Sequence, residues 1–295
     1  MITYVTRDNL NIEQYDNCIS NAVNSRIYGY SWYLDIVAHE QWDVLVLDNY
    51  IAVMPLPRRR KYFINYIYLV SWSQQLGVFA TSAIDTQLVT QFINTIPSKF
   101  KLVDIFLNAD NNFEDKNVEK KTNYILPLSP SYETLFRNYN KGRKSNVKQA
   151  LSHNLSVVID YDYRDIITFF RVNKGHEVAK NESDYDVLDA LITHVISLNW
   201  VECIGVVNEE NILIGGAFFL KDDKRITYLF SSVNKEGREK QAMSLGLNYI
   251  IEKFSNTNYI LDFEGSMIPE IASFFRSFGA IQESYYHYKK YSLFR

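Results

Sequence analysis

The sequence predicts an α/β protein built on mixed sheets, in which an antiparallel meander and a parallel strand pair belong to the same sheet. Two observations support this prediction. A pattern of strands and helices repeats after about 160 residues. In the second repeat a helix separates the last two strands of the pattern, as parallel pairing requires. Because 295 residues suffice for two ordinary domains, we predict two tandem copies of one mixed-sheet unit.

The repeat is clearest in two antiparallel meanders, which begin at Trp42 and Trp200. Each meander reads as strand, polar turn, strand, basic turn and strand. A helical stretch and then a short apolar strand with a single aspartate follow each meander. These aspartates are Asp104 and Asp262. Four elements in the same order indicate a duplication.

The two copies meet near the segment NYILPLSPSYE. Pro127 and Pro130 interrupt regular structure there, and Ser131 is a suitable N-cap for the helix that follows. We therefore place an N-terminal domain at residues 1–127 and a C-terminal domain at residues 128–295.

The second copy shows the fuller order of elements. In chain order it reads as helix 131–152, strand 155–160, helices 163–178 and 184–199, three meander strands, helix 238–254, strand 258–263, helix 268–277 and strand 283–291. A helix between two strands favours a parallel crossover. We therefore expect the strands that carry Tyr228 and Leu261 to be parallel. We also expect the final strand, with Tyr286, to flank the Leu261 strand.

The composition is that of a soluble globular protein, with 47% hydrophobic and 22% charged residues. A net charge of −3 argues against a dedicated nucleic-acid binder, and we expect no DNA partner. Cys18 and Cys203 lie far apart and no histidines have metal-ligand spacing, so we expect neither a disulfide nor a metal. The N-terminus resembles no secretory signal, and the longest apolar run is far below the roughly 20 residues that span a bilayer. A cytoplasmic protein without a membrane span is expected.

The strand that contains Leu261 ends in an unusual group of polar and small residues. Asp262, Glu264, Gly265 and Ser266 follow it directly and precede the next helix. Carboxylates and hydroxyls are stabilised at a helix start, so Ser266 as a helix cap and Asp262 as a turn residue is one interpretation. The other is functional, because ligands of such sheets bind beyond strand C-termini. Glu264 is then the candidate base that takes a proton from an acceptor amine, with Asp262 supporting it.

Two segments carry a family resemblance. YNKGRKSNVKQA begins at Tyr139, and LDFEGSMIPEIASFFRSFGA, which begins at Leu261, contains a strand, a D-x-x-G turn and an F-x-x-x-F-G helix end. With the order of elements, these segments resemble the GNAT acyltransferase superfamily, in particular its tandem-domain FemAB-like and BioF2-like branch. The resemblance implies two GNAT-like domains, of which the first is degenerate.

The resemblance also implies a function. It implies an N-acyltransferase that moves an acyl group from acyl-CoA, such as acetyl-CoA, to the amine of a small molecule or peptide. One alternative is a FemAB-like transferase that uses aminoacyl-tRNA and acts on a nucleotide-linked cell-wall precursor. Another is a non-catalytic binding protein on the same scaffold. GNAT enzymes often use a tyrosine to protonate the leaving thiolate, and here Tyr228 or Tyr286 would serve.

The acyl-donor loop of GNAT proteins holds pyrophosphate on backbone amides in a pattern close to Q/R-x-x-G-x-G/A. Gln241, Ser244 and Gly246 give Q-x-x-S-x-G here, with serine in place of the first glycine. A second register begins at Arg238 and lacks the small residues. Together with Ser232, at the end of the preceding strand, these residues form the expected donor site. An ordinary solvent loop with a helix cap remains the structural alternative.

Two basic clusters complete the candidate sites. Arg137, Lys141, Lys144 and Lys148 fall within a sector of about 60° if residues 131–152 form one helix. This stripe is either a solvated helix face or a binding surface for a polyanion such as the phosphates of coenzyme A, a nucleotide-linked precursor or tRNA. The second cluster, Arg58 to Lys61, is interpreted as a charged hairpin tip that blocks edge-to-edge strand pairing.

Overall fold

The computed structural model describes residues 1–175, 181–265 and 267–292. The chain forms two compact units. Unit 1 contains Met1–Thr122 together with Glu283–Arg295, and unit 2 contains Asn123–Gln282. The division after Thr122 lies a few residues before the position expected from the sequence, and the last strand joins the first unit instead of the second.

The strands, numbered along the chain, are β1 Ile2–Thr6, β2 Trp42–Leu47, β3 Ala52–Lys61, β4 Ile64–Ile67, β5 Phe79–Ala80, β6 Phe100–Leu107, β7 Val118–Pro127, β8 Ser156–Ile159, β9 Val201–Val207, β10 Leu213–Lys221, β11 Arg225–Val233, β12 Ile260–Asp262 and β13 Ile281–Tyr291. The α-helices are α1 Ile12–Asn21, α2 Ser31–Val37, α3 Thr86–Thr95, α4 Tyr132–Asn138, α5 Lys141–Ser152, α6 Tyr163–Lys174, α7 Glu182–Ser197, α8 Lys235–Glu239, α9 Ala242–Lys253 and α10 Pro269–Arg276. The expected mixed α/β class is confirmed.

The sheet of unit 1 has the strand order β1-β2-β3-β4-β6-β13. Its meander pairs are antiparallel, β4 and β6 are parallel, and β6 and β13 are antiparallel. Side chains such as Trp42, Phe79 and Phe92 are fully buried and form its core. Most of β2 and the first six residues of β3 are buried at consecutive positions, so both faces of these two strands are covered.

The segment Gln75–Phe79 of unit 1 runs beside the end of β6. Leu76 forms a parallel bridge to Leu107. Its amide donates to the carbonyl of Phe106 (3.0 Å), and its carbonyl accepts from the amide of Asn108 (2.9 Å). In unit 1 the space beside β6, beyond the end of β4, is thus taken by the chain itself.

The sheet of unit 2 has the strand order β8-β9-β10-β11-β12-β7. The strands β8 to β11 form an antiparallel meander. The next pair, β11 and β12, is parallel, with Ile226 opposite Leu261. This confirms the parallel crossover predicted for the strands that carry Tyr228 and Leu261. The order and directions match those of unit 1 position by position.

The helices of unit 2 cover both faces of its sheet. On one face, α4, α5, α9 and α10 bury a core that includes Leu135, Leu247 and Phe275. On the other face, α6 places Phe170 against Phe230 of β11, with ring centroids 5.1 Å apart. Two side chains can contact the same ligand only if they lie on the same face of the sheet.

Three details differ from the sequence predictions. Residues 131–152 form two helices, because Asn140 accepts from the amide of Arg143 and starts α5 as a new N-cap. The predicted helix 238–254 is divided into α8 and α9 at Gln241, whose φ is +64°. The partner of β12 on its second edge is β7, since Leu261 pairs with Leu126. The prediction that the Tyr286 strand flanks the Leu261 strand is therefore wrong.

Candidate functional site

The parallel pair of unit 2 opens at one end. Pairing between β11 and β12 covers Arg225–Thr227 and Ile260–Asp262. Beyond these residues β11 continues to Val233, whereas β12 stops. The next residue, Phe263, continues only the pairing with β7 on the other edge, where its amide donates to the carbonyl of Tyr124 (3.0 Å). The edge of β11 is thereby released from β12, and a strand edge of this kind offers backbone groups to a ligand.

Asp262 closes the bottom of this opening as a buried, fully engaged carboxylate. It is 2% exposed and accepts from the guanidinium of Arg225 (2.8 Å) and the side-chain amide of Asn123 (2.9 Å). It also accepts from the backbone amide of Glu264 (3.0 Å). A carboxylate held in this way is a structural anchor for the turn. Its position agrees with the interpretation of Asp262 as a turn residue, and its supporting role in catalysis stays a prediction.

Glu264 lies directly after this anchor, in a backbone conformation that is rare for its residue type. Its φ is +53°, in the left-handed region, and Gly265 follows with φ +52°. The side chain is half-buried. Backbone conformations of this kind persist where the surroundings hold them, and they concentrate at functional sites. Here the Glu264 amide is held because it donates to the carboxylate of Asp262. The candidate helix cap, Ser266, lies outside the described residues.

Tyr228 stands on β11 where the opening begins. Its ring is buried and lies 5.1 Å from that of Phe219, 6.4 Å from Phe263 and 6.2 Å from Phe275. Its hydroxyl bonds to the hydroxyl of Ser231, and burial raises the pKa of Tyr228 well above its usual range. The phenol is therefore protonated at neutral pH.

Ser231, and not the predicted Ser232, lies on the same face of β11 as Tyr228. The sequence did not indicate Ser231. A β-bulge in the pairing of β10 and β11 shifts the alternation, because Phe218 pairs with Phe230 and Phe219 with Tyr228. Ser232 is opposite Gly216, whose missing Cβ would touch Ile166 of α6, so Ser232 lies on the α6 face. Its hydroxyl is buried and has no hydrogen-bond partner among the described residues.

The expected pyrophosphate loop is folded into the short helix α8. The amide of Gly237 donates to the side chain of Asn234 (2.8 Å), and that of Arg238 donates to the carbonyl of Asn234 (3.0 Å). The Lys240 and Gln241 amides donate to the carbonyls of Glu236 (2.9 Å) and Arg238 (3.3 Å). Four amides of this segment are thus already used inside the protein.

The small residues of the Q-x-x-S-x-G pattern face inward. A Cβ on Gly246 would lie 3.1 Å from Ile204 and 3.3 Å from Val206, so this glycine brings α9 close to β9. The hydroxyl of Ser244 is bonded to Gln241 (3.3 Å) and to Arg143. Their spacing reflects the packing of α9 on the sheet.

Arg143, on α5, is a residue that sequence reasoning missed. It is 6% exposed and donates from Nε to Ser277 (2.8 Å), and its guanidinium lies 4.2 Å from the ring centroid of Phe274 and 4.5 Å from that of Phe278. Burial lowers its pKa to about 10, so it remains charged at neutral pH. It ties the starts of α5 and α9 to the end of α10.

The four predicted cationic residues do not share one helix. Arg137 lies on α4, and its carbonyl accepts from the Nζ of Lys144 (2.7 Å). Lys141 and Lys148 are exposed on α5. The prediction of a single cationic stripe on one helix is therefore wrong, because the helix is interrupted at Asn140. The three lysines of α5 remain a local group of cations.

Tyr286 lies in unit 1. Its strand pairs with β6, where Tyr286 is opposite Leu107, and its hydroxyl donates to the side chain of Asn112 (2.7 Å). Among the tyrosines considered, Tyr228 is the one on the open parallel pair of unit 2.

Within residues 1–175, 181–265 and 267–292, no group of three or more histidine, cysteine, aspartate or glutamate side chains is placed to hold a metal ion. In the same ranges, no helix is both long and apolar enough to cross a bilayer.

The sheet order and the parallel pair are those of a GNAT-like fold. FemX has the same fold: its structure superimposes with a TM-score of 0.69 at 12% identity, over 94% of this chain and 96% of that chain. The resemblance to the FemAB-like branch expected from the sequence is confirmed at the level of the fold.

Two further solved structures are similar. The C-terminal domain of a putative lysylphosphatidylglycerol synthetase from Agrobacterium fabrum has a TM-score of 0.56 at 9% identity, covering 94% of this chain and 90% of that chain. L-PGS from Bacillus licheniformis has a TM-score of 0.54 at 10% identity, covering 94% and 91%. No protein-family model matches the sequence, and no curated protein is significantly similar to it.

Proposed function

We propose that the chain is an acyltransferase that holds an activated acyl group at the opening between β11 and β12 and passes it to an amine. The observation that carries this proposal is the parallel pair that separates after Thr227 and Asp262, with Tyr228 on one strand and Glu264 after the other. Such an opening exposes backbone amides of β11 to a bound carbonyl, and these amides can stabilise a developing oxyanion.

The reaction needs one bond to form, one to break and one proton to move at each end. The amine nitrogen attacks the carbonyl carbon of the donor, and Glu264 takes the proton that the nitrogen releases. Collapse of the tetrahedral intermediate breaks the bond to the leaving sulfur or oxygen. Tyr228, bonded to Ser231, supplies the proton to that leaving atom.

The donor is proposed to be an aminoacyl ester of tRNA, and the acceptor the amine of a cell-wall precursor. The sequence favoured acyl-CoA, but in the register that begins at Arg238 the amides of Arg238, Lys240 and Gln241 are bonded within the protein. In the register that begins at Gln241, Ser244 and Gly246 face inward. The resemblance to FemAB-like transferases supports the aminoacyl donor, as do Lys141, Lys144 and Lys148 on α5, whose charges suit a phosphate backbone.

The test compares the two donors with one catalytic variant. Acetyl-CoA and aminoacyl-tRNA are titrated against the protein by calorimetry, and transfer to an amine is followed in single-turnover experiments. With the donor that binds, Glu264→Gln should lower the transfer rate about 10²–10⁴-fold at unchanged donor affinity. Glu114→Gln, at an exposed carboxylate of unit 1, serves as the control.

Three results would count against parts of this proposal. An unchanged rate in Glu264→Gln removes the assigned base. Binding of acetyl-CoA with no binding of aminoacyl-tRNA restores the donor expected from the sequence. Binding of a donor without any transfer supports the third possibility, a binding protein on an acyltransferase scaffold.

A further inference from the structure

The hairpin between β3 and β4 in unit 1 has an unusual tip. The ladder continues to the pair Lys61 and Ile64, so only Tyr62 and Phe63 form the turn. Both have positive φ, +47° and +66°. A two-residue turn with this geometry favours Asn-Gly, and large aromatic side chains are rare in the left-handed region. The sequence thus places two bulky residues where the backbone disfavours them.

These two aromatic side chains do not contribute to a core. Tyr62 is 83% exposed and Phe63 is 88% exposed. The nearest cations lie against them: the guanidinium carbon of Arg60 is 5.5 Å from the ring centroid of Phe63, and the Nζ of Lys61 is 5.5 Å from that of Tyr62. Neither turn conformation nor packing within unit 1 therefore explains why these two residues occupy the turn.

The charges around the tip are of one sign. Arg59, Arg60 and Lys61 are exposed and form no ion pair with a carboxylate of the described residues. Arg58, one residue earlier, is different because it pairs with the buried Asp43. Three neighbouring cations without counter-ions repel one another and favour an anionic surface nearby.

An apolar groove begins at the same tip. It has a volume of about 390 Å³, and its lining residues come from β3, β4, β6, β13 and the turn. They include Tyr62, Ile64, Tyr66, Leu102 and Tyr291. Tyr291 is itself 65% exposed at the mouth of the groove. Aliphatic and aromatic walls of this kind suit a hydrocarbon chain.

We propose that this hairpin tip, residues Arg59 to Phe63, docks on the surface of a bilayer that contains anionic phospholipids. Tyr62 and Phe63 enter the interfacial region, where amphipathic and aromatic side chains are stable. Arg59, Arg60 and Lys61 bind lipid phosphates, and the groove receives an acyl chain. Two signals of this kind, apolar insertion and basic charge, together give stable peripheral attachment. A nucleic acid would satisfy the cations alone, whereas a bilayer also accounts for the exposed rings and the apolar groove.

The experiment is co-sedimentation of the full chain with vesicles of pure phosphatidylcholine and with vesicles that also contain phosphatidylglycerol. We expect binding to the anionic vesicles that exceeds binding to the neutral ones. The variant Tyr62→Asn/Phe63→Gly installs the residues that the turn prefers, so it should fold at least as well and lose vesicle binding roughly tenfold or more. A melting temperature equal to or above that of the natural chain will show that the loss of binding is not caused by unfolding.

Two matched pairs separate charge from apolar insertion. Arg59→Gln/Arg60→Gln should lower binding to the anionic vesicles roughly tenfold, and Lys116→Gln/Lys120→Gln, which removes the same charge elsewhere, should not. Val172→Ser, at a residue of α6 that is 71% exposed, controls for the loss of exposed apolar surface. Equal sedimentation of the natural chain and Tyr62→Asn/Phe63→Gly would overturn the proposal. A second combination of results would also overturn it: the natural chain binds neither kind of vesicle, and it binds tRNA in a way that the hairpin variants abolish.

Discussion

The two sheets share one strand order but differ at the parallel pair. In unit 1, β4 ends at Ile67, and the segment around Leu76 runs beside the end of β6 and bonds to it. In unit 2, β11 continues past its last contact with β12, to Val233. In unit 1 the space beside the parallel pair is therefore filled by the chain itself, whereas in unit 2 the corresponding edge of β11 is left open.

A cluster of buried amides fixes the filling segment in unit 1. Asn24, Asn108 and Asn111 are at most 1% exposed, and all three donate to the carbonyl of Val78. Gly77 permits this approach, since its φ is +90° and a Cβ there would lie 2.2 Å from the side-chain oxygen of Asn111. In unit 1, buried polar residues hold the segment that closes the opening. For this reason we assign the proposed acyl donor to unit 2.

The largest effect is expected for the anchor of unit 2. Asp262→Asn removes the negative charge beside Arg225, which is 6% exposed, and leaves that guanidinium buried without its counter-ion. Breaking such a pair from one side lowers the free energy of unfolding by about 3–5 kcal/mol. Urea denaturation measures this loss, with Asp223→Asn, at an exposed turn, as the control. A loss below about 1 kcal/mol would show that the pair does not hold the end of β12.

A smaller loss is expected for the amide cluster of unit 1. Asn111→Ala removes the acceptor of the Val78 amide (2.6 Å) and a donor to the Val78 carbonyl (2.9 Å), both buried. An unsatisfied buried group costs about 1–3 kcal/mol, and the same denaturation experiment measures it. Asn49→Ala, in an exposed turn, should change stability by about 0.5 kcal/mol or less. Unchanged stability in Asn111→Ala would mean that the filling segment is held by other contacts.

The parallel crossover was predictable because it depends on local order. A helix between two strands leaves few ways to return to the sheet, so the directions of the Tyr228 and Leu261 strands followed from the sequence. The placement of β13 did not follow. Its alternating pattern fits an edge of either sheet, and the choice between β6 and β12 depends on residues far away in the chain. Tyr286 was consequently assigned to the wrong strand neighbour.

The site residues show a similar limit. The charge pattern of residues 137–148 identified the exposed cations but treated the break at Asn140 as helix. The charge pattern did not single out Arg143, whose guanidinium is buried against the rings of Phe274 and Phe278. The bulge in β11 exchanged Ser232 for Ser231, and neither glycine nor proline marks its position. The break at Asn140 is a local N-cap that the charge pattern did not consider. The burial of Arg143 and the bulge depend on packing against distant residues, which short-range periodicity misses.

The two free cysteines allow the stability of each unit to be read separately. Cys18 lies in unit 1 and Cys203 in unit 2, and burial raises the pKa of each thiol to about 12. Because the thiolate is the reactive form, native labelling at pH 8 should be slow, should rise with pH and should proceed mainly through local opening.

The labelling comparison then separates the two units. Asp262→Asn should accelerate labelling of Cys203 about tenfold more than that of Cys18, and Asn111→Ala should do the reverse. Mass spectrometry of the labelled peptides measures both rates. Equal acceleration of the two cysteines in either variant would show that the units open together.

The smallest effect is expected for the aspartate of unit 1 that the repeat matches with Asp262. Asp104 pairs with Lys289 (2.9 Å) and His287 (2.7 Å), but Lys289 is 43% exposed, so water stabilises the lysine when its partner is lost. Asp104→Asn should therefore lower the free energy of unfolding by about 1 kcal/mol or less. Urea denaturation beside Asp262→Asn gives the contrast directly. A loss as large as that of Asp262→Asn would mean that the stability of both units depends equally on this aspartate. The difference between the filled opening of unit 1 and the open one of unit 2 would then not be reflected in the free energy of unfolding.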